Sequence, residues 1–146
     1  MKSLEQLQEL VLEWAWEKNL LFPENAPKQK LKLIEECGEL ARAILKNDVK
    51  EQKDAIGDIF VVLIILSEQL ELELDFDLTT GYMEKLDFNI TRLIDSAYFE
   101  CTKLSFGYLV ELSLRLNISL VECANIAYNE IKDRTGKTVN GTFIKD

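Results

Sequence analysis

Between Leu31 and Leu66 the chain reads LKLIEECGELARAILKNDVKEQKDAIGDIFVVLIIL, a pattern that few folds can accommodate. Leu33, Cys37, Leu40 and Ile44 recur at spacings of three and four, with Ile34 and Ala41 beside them, which predicts an amphipathic helix. Lys46-Asn47-Asp48 ends it, because Asn47 can take the left-handed conformation and Asp48-x-x-Glu51 is a capping box that opens a second helix. From Ile59 to Leu66 that second helix is apolar on every side. Its β-branched residues would also suit a buried strand. The upstream cap, the lack of a turn signal after Asp58 and the helical neighbours favour helix. The expectation is a hairpin over 27–70 whose second arm must be enclosed by other elements.

Both arms carry acids: Glu35, Glu36 and Glu39 on the first, Glu51, Asp54 and Asp58 on the second. A tight helical hairpin can aim such carboxylates at one point, which is how a protein holds hard divalent cations through oxygen. Taken alone, the first arm reads as a solvated polar face, since Glu35 and Glu39 lie away from the apolar stripe and Glu36 lies at its flank. The second arm shifts the balance. Glu51, Asp54 and Asp58 fall within about 60° of one another, and the same stripe continues as Val61, Val62 and Ile65. Acids heading an apolar helix need a partner, and between Arg42 and Lys85 the bases are Lys46, Lys50 and Lys53 alone. A metal would satisfy them. Gly38 and Gly57 suit close helix approach.

The remaining chain is also helical in pattern. Ser3-x-x-Gln6 caps a helix bearing Leu4, Leu7, Val11 and Trp14 that ends near Asn19, and Pro27 suits the first turn of the next helix. Residues 72–80 lose their period, with Thr79-Thr80-Gly81 marking a break. Tyr82 to Ala97 and Phe99 to Leu116 form one helix or two, Asn117 stops them, and Ser119-x-x-Glu122 caps a last helix. After Lys132 the pattern fails, and Asn140-Gly141 marks a small hairpin or a tail.

Composition removes several classes of chemistry. With no histidine, Ser-His-Asp and Cys-His catalysis and His-ligated metals are excluded. A net charge of -9 argues against binding a nucleic-acid backbone. The apolar run Ile59 to Leu66 is far shorter than the ~20 residues that span a bilayer, so a soluble protein with no membrane partner is expected. Cys37, Cys101 and Cys123 lack metal-type spacing and sit on apolar sides, reading as reduced core residues of a cytoplasmic protein. Thr135-Gly136-Lys137-Thr138 is no P-loop, since Ile131 stands where its first glycine must be.

Glu35-Glu36-x-x-Glu39, followed by Gly57-Asp58 at the head of an apolar helix, resembles the MazG-like all-α nucleoside triphosphate pyrophosphohydrolases. Their motif is E-E-x-x-E, a short gap, then E-x-x-D. The first half matches fully. In the second, Asp58 matches the final Asp while Ala55 stands in place of Glu. Asp54 can flank Asp58 from the other side as a substitute, and Glu51 is a second one. The resemblance is strongest over 29–66, with weaker likeness in the Trp14 helix and in Asn129, Lys132 and Arg134. It points to the short single-domain members carried by bacteria and their phages.

The resemblance implies an all-α bundle of about five helices, one domain over 1–146 with a tail at 134–146, and a homodimer or higher oligomer. Mg²⁺, or Mn²⁺ in its place, would be held by Glu35, Glu36, Glu39 and Asp58, with Asp54 completing the set. The substrate would be a nucleoside triphosphate, cleaved to monophosphate and pyrophosphate, with Glu36 or Glu35 positioning the attacking water. Asn129, Lys132 and Arg134 would meet phosphates, and Trp14 would stack a base or sit in the core. Trp16 is undecided between those roles. Two other readings compete: a non-catalytic helical interaction protein that keeps this fold, and a phosphohydrolase acting on another diphosphate-containing metabolite.

Overall fold

The computed structural model describes residues 1–76 and 85–146, without the side chain of Phe88. Helix α1 (Leu4–Glu17) begins with both halves of the Ser3/Gln6 capping box and ends with Asn19 left-handed at φ 56. A 3-10 turn (Pro23–Asn25) leads into α2 (Ala26–Leu45), with Pro27 in its first turn. The Asn25 side chain donates to the Leu20 carbonyl at 3.1 Å and fastens this connector. Asn47, at φ 54, closes α2, and Asp48 accepts from the Glu51 amide at 3.1 Å to start α3 (Val49–Gln69).

The β-branched run is helix throughout, and its enclosure explains why. Every residue from Ile59 to Leu66 is buried, none more than 7% exposed, with α1, α2, α5 and α6 packed around α3. Tertiary burial of all faces outweighs the modest strand preference of valine and isoleucine. Helices α4 (Leu86–Tyr98) and α5 (Thr102–Arg115) are separate, because Glu100 turns the chain at φ 62. They pack together, with the Ser96 and Ser105 hydroxyls 2.7 Å apart across a buried contact. Asn117, at φ 56, ends the α5 segment, and Ser119 accepts from the Glu122 amide at 3.2 Å to cap α6 (Leu120–Ile131).

Strands β1 (Gly136–Val139) and β2 (Thr142–Lys145) pair antiparallel through Asn140-Gly141, both left-handed, as a two-residue hairpin turn requires. The hairpin lies back on the helices: Thr138 donates to the Lys18 carbonyl at 2.6 Å, and Phe143 meets Trp14 edge-on at 5.1 Å.

The helices number six among the described residues, in line with an all-α bundle of about five, and the pattern running to Leu116 divides at Phe99–Cys101. Three expectations change. Cys101 is exposed in that break, whereas Cys37 and Cys123 are buried, and burial pushes their thiols up to about 12 and about 11. Ile59 to Leu66 is covered within the protomer, so that run gives no reason for an oligomer. Gly38 faces open space, so close packing does not explain it. The break expected at Thr79-Thr80-Gly81, and Tyr82 at the head of its helical pattern, lie outside the described residues. No single helix among the described residues is long and apolar enough to cross a membrane.

Gly57 is the tight point of the bundle. A Cβ there would overlap the Cys123 carbonyl and stand 2.9 Å from the Ala127 Cβ, where α6 crosses α3. Gly57→Ala should destabilise by about 1–3 kcal/mol through overpacking. Gly38→Ala, in open helix, should stabilise by up to about 1 kcal/mol. Denaturant unfolding of the two variants checks the contrast; equal effects would refute this account of α3 against α6.

Candidate active site between α2, α3 and the C-terminal hairpin

Helices α2 and α3 run antiparallel from the Asn47 turn, and the groove between them opens into a cleft of about 420 Å³. Glu36, Glu39 and Asp58 line one end of it. Glu36 is 4% exposed; Lys32, one turn earlier on α2, bonds one carboxylate oxygen at 2.9 Å, while Oε2 is buried with no partner among the described residues. Burial raises the Glu36 carboxyl above its ordinary value, against the pull of Lys32. Burial also raises Asp58, to about 7, helped by the like charges of Glu36 and Glu130 and opposed by Arg134 and Lys32. Lys32 is held protonated in turn, the Glu36 hydrogen bond and charge outweighing its own burial.

The bases that serve these acids therefore do not come from the Arg42 to Lys85 interval. They come from α2 itself, at Lys32, and from Arg134 beyond α6. Arg134, expected from the sequence to meet phosphates, lines the cleft; Asn129 and Lys132 are exposed and outside its lining. Glu35 is also outside, its exposed carboxylate 3.2 Å from Lys32. Asp54 does not reach the cleft wall either, and its charge acts on Cys123 of α6. The close crossing at Gly57 brings α6 against that flank of α3. Ala55 is buried in the core, and Glu51 is exposed at the first turn of α3.

The other end of the cleft is apolar: Leu20, Val62, Ile65, Trp14 and Phe143. Trp14 is buried, with its indole N–H unpartnered among the described residues, and Trp16 is 68% exposed. Sequence reasoning missed Lys28, Lys32, Gln29 and the hairpin residues Phe143 and Lys145, all in the lining. Lys28, Lys32, Glu36 and Glu39 stand three and four apart on one face of α2, a signal that was legible. Nothing local in 136–145 indicates that it folds back onto α1.

Oxygen donors suit a hard cation, and the unpaired Glu36 Oε2 beside a proton-retaining Asp58 shows a site short of positive charge. Glu36, Glu39 and Asp58 thus fit Mg²⁺ in donor chemistry. Among the described residues no three acid or cysteine side chains are grouped closely enough to hold a metal as they stand. Lys32 bonds one of the Glu36 oxygens in this arrangement.

The metal-free protein should show this in its pH dependence. Asp58 is raised in the fold from 3.8 to about 7, so its contribution is complete below about pH 4 and is lost as pH rises towards 7. In chelator, Asp58→Asn should melt with wild type at pH 4 and above it at pH 8. A melting difference that does not widen with pH would contradict the buried, charge-poor setting of Asp58.

Residues 26–92 match the MazG nucleotide pyrophosphohydrolase domain. An uncharacterised 18.2 kDa protein from the rep-hol intergenic region of Haemophilus phage HP1 is 41% identical over 73 residues, covering 50% of this chain and 45% of that protein. The alignment thus spans less than half of that relative. No solved structure matches the chain. Glu36, Glu39 and Asp58 all fall inside the span that matches the MazG nucleotide pyrophosphohydrolase domain.

Proposed function

We propose that the protein is a Mg²⁺-dependent nucleoside triphosphate pyrophosphohydrolase, releasing a nucleoside monophosphate and pyrophosphate. The observation that carries this reading is one cleft with two unlike ends: Glu36, Glu39 and Asp58 at one, Leu20, Ile65, Trp14 and Phe143 at the other. Asp58 and Ile65 are seven residues apart on α3, about 10 Å along the axis, which is the scale separating a nucleotide's phosphates from its base. A volume of about 420 Å³ suits such a ligand.

In this reading Glu36, Glu39 and Asp58 hold the metal, with Glu35 outside on the α2 surface. When bound, Mg²⁺ neutralises the phosphates and acidifies the attacking water. Arg134 and Lys32, whose charges already act on Asp58, carry the rest of the phosphate charge. Glu36 has one oxygen on Lys32 and the other without a partner among the described residues, and that second oxygen is the one that would meet the metal and orient its water. The apolar end seats the base and keeps solvent from the reacting end.

The test is a screen of nucleoside triphosphates with Mg²⁺, reading pyrophosphate directly. Glu36→Gln and Asp58→Asn should each lose at least about a hundredfold, the scale of the several kcal/mol that metal charge stabilisation supplies. Asp54→Asn and Glu51→Gln should be mild, because neither carboxylate lines the cleft. If no triphosphate yields pyrophosphate, and Mg²⁺ leaves the melting temperature unchanged at matched ionic strength, the catalytic reading gives way to a binding role for this fold.

A further inference from the structure

The apolar end of the cleft holds a buried polar side chain that the chemistry at the acidic end does not use. Gln29, near the start of α2, lines the cleft together with Val62 and Ile65 and is 5% exposed. Its Nε2 donates to the Val62 carbonyl of α3 at 3.4 Å, a long bond to an oxygen that also serves its own helix. Turned over, the carboxamide would set oxygen against oxygen, so Val62 fixes which way the group faces. Gln29 Oε1 has no hydrogen-bond partner among the described residues, and unlike Glu36 Oε2 and the Trp14 indole N–H it is not sealed from solvent. On a side chain this buried, the opening that the oxygen meets is the cleft.

Its position along α2 gives that oxygen a task. Gln29, Lys32, Glu36 and Glu39 follow at spacings of three, four and three, which puts them on one face of the helix. Gln29 and Glu36 are seven residues apart, about 10 Å along the axis, the same step that separates Ile65 from Asp58 on the facing helix. Sites for ring-bearing ligands are mostly apolar walls with a few placed polar groups that fix orientation. Here Val62, Ile65, Trp14 and Phe143 are the walls, and Gln29 is the placed group. A carboxamide bound to Val62 through one Nε2 hydrogen still has its acceptor oxygen and a second hydrogen to offer. Such a pair suits a planar ring edge with a donor beside an acceptor, which every nucleobase presents. A ligand without that edge leaves a buried acceptor unpaired, and sites built in this way reject it. A bond as long as the one to Val62 is a poor reason to bury a carboxamide.

We infer that Gln29 is a specificity-determining residue, its Oε1 accepting from an N–H on the edge of the ligand's base, so that the cleft takes nucleotides in preference to other diphosphate compounds. This rests on the cleft being a nucleotide site, and it adds the residue that chooses among bases. Gln29 stands too far from Glu36 and Asp58 to take part in cleaving the anhydride.

Gln29→Met keeps the length of the side chain and removes its polar edge. Calorimetry of the full chain with Mg²⁺, using the four common nucleoside monophosphates and ribose 5-phosphate, tests the role without turnover. Wild type should rank the four bases. Gln29→Met should bind the preferred one about tenfold more weakly and level the ranking, the scale of one lost base-edge contact. Its affinity for ribose 5-phosphate and its melting temperature should be unchanged. If a nucleoside triphosphate is hydrolysed, the variant should raise KM for it and keep kcat within about twofold, as for a contact made equally before and during reaction. A wild type that does not distinguish the bases, a variant that keeps the ranking, or an equal loss for ribose 5-phosphate would overturn the assignment. A drop in kcat at unchanged KM would do the same. Should no triphosphate be hydrolysed while the monophosphate ranking and its loss are both seen, hydrolysis falls and Gln29 stands as the base reader of a nucleotide-binding protein.

Discussion

The structure depends on enclosing α3. From Ile59 to Leu66 it has no side that tolerates water, so each neighbouring helix is placed by the demand that some face of α3 be covered. That demand also places the chemistry. Asp58 stands one residue before the apolar run, where the helix passes from partly open to closed, and burial begins to raise its carboxyl there. An acid one turn earlier, such as Asp54, does not line the cleft.

The hairpin, its caps and its acids were legible because their signals are local. Asn47, Asp48 and Glu51 fix the turn through backbone conformation and one hydrogen bond, and the three-four spacing of Leu33, Cys37 and Leu40 fixes which side of α2 is buried. The cleft's far wall was not legible, because it depends on where distant segments come to rest. Phe143 reaches Trp14 across more than a hundred residues of chain, and no pattern in 136–145 encodes that meeting. The bases that act on Asp58 were not legible for the same reason, since Lys32 and Arg134 are near it in space and distant in sequence.

Helix α2 carries three kinds of surface at once. Leu33, Cys37 and Leu40 face the core, Glu36 and Glu39 face the cleft, and Leu31, Ile34 and Leu45 face outward. Glu35 falls between the last two, which is why its place in a motif with Glu36 and Glu39 does not bring it to their site. Adjacency in sequence on a helix means a step of about 100° around the axis, enough to move a carboxylate from one surface to the next.

The C-terminal hairpin has only four residues in each strand and is attached to the helices chiefly through Thr138 and Phe143. A two-stranded unit of this size has little stability of its own. Its amides should exchange with solvent through local opening, far faster than those of α3, which open only with the whole fold. The cleft thus has one wall inside the helical core and another on a small hairpin held by few contacts, so a substitution at Thr138 or Phe143 would reshape the cleft and leave the core standing.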